Sequence, residues 1–212
     1  MIATITSLER NGSVRHIPSL LMAAVFVCAS AAADAQNLRI RGTITGLDGD
    51  VLLVKTREGR DMKVELTDKT TVATMRAVKL ADIKPGTGLG VTAVSGPDGK
   101  LVARGLMVFP SERGVPNEGH RPHDLETNSS MTNAAVSGVA QMGSGRELTV
   151  SYKGGTQTVI VTDSTPIVAA VEADRTALRA GEYAYIAAGM NNDGKVVATR
   201  VQVSRDGVRP PQ

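Results

Sequence analysis

The sequence predicts an all-β protein: two tandem small OB-like β-barrel domains joined by a loop-rich linker, after a cleavable signal peptide. Three observations predict it. Short apolar runs of strand length recur along the chain, several of them alternating with polar residues. The order of these runs and of the turns between them occurs twice, about 95 residues apart. The first 35 residues have the make-up of an export signal rather than of a folded segment. The composition agrees: of 212 residues 42% are hydrophobic but only 2% aromatic, so any core must be aliphatic.

The N-terminal segment comes first. Arg10, Arg15 and His16 make a positive leader, Ile17 to Ala33 is an apolar run, and Ala33-Asp34-Ala35 supplies small residues at the positions a signal peptidase accommodates. Cleavage is expected after Ala35. The run falls short of the ~20 apolar residues of a membrane span. Cys28 follows Val25-Phe26-Val27 and so lacks the small residue that precedes a lipidated cysteine. Removing residues 1–35 takes two arginines and two acids, so the net charge of +3 is unchanged, and it removes the single cysteine. The mature chain is therefore expected to be periplasmic or secreted, without a transmembrane segment and without disulfides, held together by burial alone.

Five segments are expected: 1–35 signal peptide, 36–110 first barrel, 111–134 linker, 135–205 second barrel, and 206–212 a C-terminal tail. In the first copy Ile40–Leu47, Val51–Thr56 and Met62–Leu66 read as strands. In the last of these Met62, Val64 and Leu66 alternate with Lys63 and Glu65. Leu47-Asp48-Gly49-Asp50 and Glu58-Gly59-Arg60 supply turns. Lys79–Ile83 reads as a brief helical turn stopped by Pro85-Gly86, and Leu89–Val94 with Leu101–Phe109 as a hairpin across Pro97-Asp98-Gly99. The second copy repeats the order in Ala135–Met142, Glu147–Lys153, Thr156–Thr162, Ile167–Val171, a turn at Ala177–Arg179, Tyr183–Ala188 and Val196–Val203. Positions 67 to 108 match positions 162 to 203 at 11 of 42 places without a gap, too ordered a set for chance. A slip of one residue aligns Gly42 with Gly138, and Leu52 and Val54 with Leu148 and Val150. An open sandwich shared between the copies is the structural alternative to two barrels of ~70 residues, a size near the lower limit for a self-sufficient core.

The pattern of Gly, alternating strand, Thr-Asp-x-Thr, Leu/Ile-x-x-Gly and Asp-Gly-Lys-x-Val-Ala resembles small exported bacterial β-barrel domains of unknown function. The resemblance covers both copies. It implies a fold, and it brings no catalytic residues with it.

Candidate chemistry is sparse. Asp98-Gly99 and Asp193-Gly194 read as hairpin turns, and Thr67-Asp68 and Thr162-Asp163 as groups that satisfy local backbone donors. Both histidines of the mature chain lie in Glu118-Gly119-His120-Arg121-Pro122-His123-Asp124. Glu118, His120, His123 and Asp124 are ligand types for Zn, Cu or Ni, with Met131 as a soft sulfur nearby, although Gly119 and Pro122 preset no helical geometry. Without cysteine, and with no nucleophile elbow, no catalytic residues are expected. Gly86-Thr87-Gly88-Leu89-Gly90 enters a strand rather than a helix, the reverse of a dinucleotide fingerprint, and reads as room for a curved strand. Tyr183 and Tyr185 share one face of their strand, and the first copy has Gly88 and Gly90 at the equivalent positions. Barrel filling is their expected use, and an outward sugar- or peptide-binding patch the alternative.

These readings point to an exported non-catalytic binding or scaffold protein of the periplasm or cell envelope, not an enzyme. Its partner would be an envelope protein or a small ligand. A divalent-metal-binding protein using the His-x-x-His linker is the first alternative, and an oligosaccharide- or peptide-binding module the second. Nucleic acid is disfavoured, because charges nearly balance and few aromatics are available for stacking.

Overall fold

A computed structural model describes residues 37–96, 98–143 and 145–211. The expected signal peptide and its cleavage site lie outside these residues. Apolar alternation forms strands wherever the sequence reading placed them, and no α-helix occurs among the described residues. In the first half the strands are β1 (Leu38–Asp48), β2 (Val51–Thr56), β3 (Asp61–Glu65), β4 (Thr71–Ala77), β5 (Gly88–Ser95) and β6 (Leu101–Val108). Then come β7 (Gly119–Pro122), β8 (Ser129–Met142), β9 (Gly145–Tyr152), β10 (Gly155–Val161), β11 (Ile167–Ala173), β12 (Tyr183–Met190) and β13 (Val196–Val203). A single 3₁₀ turn at Leu80–Asp82 occupies the expected helical position, and one at Arg175–Ala177 lies two residues ahead of the expected Ala177–Arg179. No helix of the described residues is long and apolar enough to cross a membrane.

The strands close into five-membered circuits, but not within each half. One circuit runs β1–β2–β3–β13–β12 and back to β1. The other runs β8–β9–β10–β6–β5 and back to β8. Each barrel therefore takes three strands from one half and the closing hairpin from the other. The expected boundaries, 36–110 and 135–205, do not coincide with these circuits. A sequence repeat specifies which elements occur but not which copy of each element pairs, because both pairings satisfy the same alternation. Between the barrels β4 and β11 pair antiparallel, and each runs parallel to the last strand of a hairpin, β4 to β13 and β11 to β6. No strand was expected over Thr71–Ala77, where Val72 and Met75 break the alternation.

The pairings of β1–β6 are matched one for one by those of β8–β13, and the match corrects the register of the first strand. β1 carries a bulge between Ile44 and Gly46, and β8 one between Val136 and Gly138. Gly138 thus corresponds to Gly46, not to Gly42. The β8–β9 hairpin is four residues longer beyond the bulge, pairing Gly138 with Thr149 where Gly46 pairs with Leu53. That insertion moved the sequence alignment off the strand.

Each barrel has its own aliphatic core. Ile44, Leu52, Val54, Val64, Ile186 and Val201 fill the first, and Leu89, Val91, Leu106, Leu148, Val150 and Val159 the second. Leu178 and Ile83, each just after a 3₁₀ turn, belong to the first and second cores respectively. The expected turn chemistry is present in the Asp-Gly-Lys segments, where Gly99 and Gly194 take φ of 78° and 75°. In the Thr-Asp-x-Thr segments the last threonine accepts a backbone N–H, from Thr67 to Thr70 and from Thr162 to Thr165, and Thr67 Oγ1 accepts the Lys69 N–H as expected. The lysines of the Asp-Gly-Lys turns also tie strands together, Lys195 to Glu65 on β3 and Lys100 to Glu147 on β9.

Candidate functional site

The segment expected as a free linker is built into the structure. β7 pairs with the start of β8, over Ser130–Asn133, so strand structure begins well before residue 135. Ahead of β7 the chain bends through Asn117 (φ 47°), and Asn133 Nδ2 donates to the Pro116 carbonyl at 2.7 Å. After β7, Ser129 closes a tight turn. Its Oγ donates to the His123 carbonyl and its carbonyl accepts the His123 N–H, both at 2.9 Å. Residues 109–129 thus form a strap.

Along this strap His120 and His123 are three residues apart on extended backbone, so their side chains leave opposite faces. His120 Nδ1 lies 2.8 Å from Thr132 Oγ1, and its ring stacks on Tyr152. Glu118 accepts the Lys153 N–H at 3.0 Å. His123 and Asp124 meet β1 instead. The expected metal-ligand set is therefore divided, and no group of three or more potential ligands of these types occurs among the described residues.

Asp124 is the anchor of the strap. Its carboxylate accepts two hydrogen bonds from Arg41, at 2.9 and 3.2 Å, and one from Arg39 at 3.2 Å. Arg39 and Arg41 alternate with Ile40, so that residue 40 enters the core while the arginines stand on the outer face. Arg41 is only 6% exposed, and its guanidinium sits 5.4 Å over the Tyr185 ring. Those hydrogen bonds hold the Asp124 carboxyl far below the usual carboxylate range. His123 is pushed down by burial, and Tyr185 is pushed up by the same cause. His123 Nδ1 lies 3.5 Å from both Arg39 Nη1 and Asp124 Oδ1.

Tyr183 and Tyr185 do not fill a barrel. On β12 it is Ala184, Ile186 and Ala188 that enter the core, and the tyrosines lie outside under Arg209 and Arg41. Gly88 and Gly90 lie on the matching outer face of β5, and a Cβ at Gly90 would come within 2.9 Å of the Phe109 ring. These glycines make room for Phe109 at the start of the strap, rather than for curvature.

Beneath the strap is a cleft of about 520 Å³, within the range of small-ligand sites. Arg39, Arg121 and Arg200 line it together with Tyr185, His123 and Gln202, and its described lining holds no carboxylate. A second cleft of about 680 Å³ adjoins it and shares Thr71, Met107, Phe109, Pro116, Arg200 and Gln202. Two buried polar atoms on the first cleft's lining side chains have no partner, His123 Nε2 and Gln202 Oε1. The His123 side chain is 3% exposed and Gln202 4%. Native interiors leave few such groups unpaired.

No family model, no curated protein and no solved structure matches this chain.

Of the residues around this cleft, the sequence reading had singled out His123, Asp124, Met131 and Tyr185, in other roles. Arg39, Arg41, Arg200 and Gln202 were missed. Their trace in the sequence is Arg39-Ile40-Arg41, two cations in alternation on a strand whose other face is apolar.

Proposed function

We propose that this chain is an exported, non-catalytic binding protein, and that the cleft beneath the 109–129 strap is where it holds a small ligand. The observation that carries this reading is the pair of buried, unpartnered polar atoms on side chains lining one cleft, which a bound molecule would satisfy. Export rests on the leader and Ala33-Asp34-Ala35. We further propose that the barrels are OB-like and arose by internal duplication, as in the exported bacterial domains the sequence resembles. The matched order of strand pairings supports this, together with the recurring Thr-Asp-x-Thr and Asp-Gly-Lys motifs.

Native mass spectrometry of the protein taken gently from envelope extracts tests the binding reading. A small-molecule adduct is expected on the wild type and absent from Thr71→Trp, which places an indole at an exposed position shared by both clefts. A wild-type protein that never carries an adduct overturns it. Turnover of a hydrolase or redox substrate, abolished by one substitution in the cleft, overturns the non-catalytic part.

A further inference from the structure

Resting on that reading, we infer that the cleft selects a hydroxylated carboxylic acid of sugar-acid size, with Arg200 as the principal anchor of the carboxylate. Three guanidinium groups line the first cleft, and no carboxylate does among the described residues. They are not equivalent. Arg39 is committed to Asp124, and Arg121 donates to the Asn117 carbonyl at 3.2 Å. Arg200, on β13 at the junction of both clefts, has no ion-pair partner among the described residues. An unpaired arginine with its planar fork is suited to bidentate capture of a carboxylate. Glu112 and Glu172 line the second cleft, so it is the first cleft, with Arg39, Arg121 and Arg200 on its described lining and Asp124 beside it, whose field favours an anion.

The two unpartnered atoms narrow the chemistry. His123 Nε2 pairs with a hydroxyl in either tautomer, and with a carboxylate oxygen when it carries the ring proton. Gln202 Oε1 is an acceptor that needs a donor, and a bare carboxylate has none. A hydroxyl group on the same molecule meets that need. Thr71, Thr199 and Asn133, also on the lining, extend the polar surface available to further hydroxyls. A volume of about 520 Å³ accommodates one sugar-sized acid with bridging water.

Calorimetric titration of the full mature protein tests the assignment, with D-glucuronate and citrate as acids, D-glucose as the neutral match, spermidine as the cation and inorganic phosphate as the simple anion. Glucuronate is expected to bind and glucose to bind at least tenfold more weakly. Arg200→Gln is expected to weaken glucuronate about tenfold or more, as loss of a charge-assisted hydrogen bond does, with Arg200→Lys falling between. Arg200 is exposed on its strand, so both variants should fold, and unchanged thermal unfolding checks this. Glucose or spermidine binding as tightly as glucuronate, indifferent to Arg200→Gln, overturns the carboxylate while leaving the binding reading standing. Phosphate binding without either organic acid overturns the hydroxy-acid part. If no probe binds while the extracted protein still carries an adduct, the ligand class is wrong and the cleft reading survives. If neither is seen, both fall.

Discussion

The outer faces of the two closing hairpins are matched position for position and are used in opposite ways. On β5 and β6 the positions are Gly88, Gly90, Gly105 and Met107. On β12 and β13 they are Tyr183, Tyr185, Arg200 and Gln202. Phe109 lies against Gly88 and Gly90, and Pro211 of the C-terminal tail lies against Gly105, within 2.6 Å of where a Cβ would stand. The first face is thus smoothed by glycine so that chain can pack on it. The second carries side chains with cationic and amide ends, and Asp124 of the strap is held beside it by Arg41, whose guanidinium lies over Tyr185. Met107 and Gln202, 95 residues apart, meet across the join, where Gln202 Nε2 lies 3.7 Å from the Met107 sulfur. One frame with two equivalent faces yields one packed surface and one polar cleft, and the difference lies in side-chain size at three positions and in polarity at the fourth, Met107 against Gln202.

The comparison breaks most completely if the halves are separated. Residues 36–110 alone contain β1–β3 and the β5–β6 hairpin, which pair with nothing of each other in the whole chain. The expected outcome is no folded monomer. The half either remains unfolded or forms a dimer in which two copies exchange hairpins, the low-cost route that matched pairings allow. Co-expression with 111–212 should restore a one-to-one complex. Size-exclusion chromatography with light scattering and circular dichroism reads the result. A stable monomeric 36–110 would show that the hairpin can close on its own half.

A single methyl group should distinguish the barrels next. Gly42 on β1 corresponds to the buried Ala134 on β8. A Cβ at Gly42 would stand 2.2 Å from the Lys55 carbonyl oxygen and 2.8 Å from the Thr56 Cα, both backbone. Gly42→Ala must therefore move β2 and should cost roughly 3 kcal/mol or more, the scale of severe overpacking. Ala134→Gly removes one methyl from a buried site in the other barrel and should cost about 1 kcal/mol. Urea unfolding of both variants checks the ratio, and equal losses would mean that the two first strands are seated alike.

These comparisons also mark what the sequence could and could not disclose. Strand positions were legible because alternation such as Met62-Val64-Leu66 against Lys63 and Glu65 is a local property. The exchange of hairpins was not, since Leu89 and Val91 present the same apolar face to either set of partners. The cleft was hidden for a related reason. Arg39, Asp124, Tyr185 and Arg200 come from four separate elements, and only the exchanged pairing puts β1 beside β12. His120 and His123 misled because adjacency in sequence was read as adjacency in space, whereas extended backbone sends them apart.

The strap's attachment to the polar face gives a smaller, pH-dependent effect. Removing Asp124 leaves the buried Arg41 without its counter-charge. Asp124 is 49% exposed, so solvent screens the pair, and Asp124→Ala should cost roughly 2 kcal/mol rather than the full penalty of a buried ion. The sign follows from proton binding. The Asp124 carboxyl is held below its ordinary value of 3.8, so in acid the unfolded chain takes up a proton the folded chain refuses. Its contribution is complete above the ordinary value and is lost as pH falls below it. His123, held below its ordinary 6.5, acts in the same direction from a higher starting pH. Wild-type stability should therefore fall in two stages on acidification, and Asp124→Ala should remove the lower one. Thermal unfolding across that range reads both, and an unchanged lower stage in the variant would detach Asp124 from the strap's stability.

The smallest expected effect isolates the aromatic contribution to the polar face. Tyr185→Leu keeps most of the apolar contact but removes the π face beneath Arg41, for a loss of about 1 kcal/mol. Because Arg41 serves both Tyr185 and Asp124, the two substitutions share a partner and should not add. In the double variant the arginine has already lost its counter-charge and is free to turn toward water, so Tyr185→Leu should cost less there than in the wild type. A double-mutant cycle by urea unfolding measures that difference. Strict additivity would mean that Arg41 holds its place over Tyr185 without Asp124, and that the strap, although anchored to this face, does not order it.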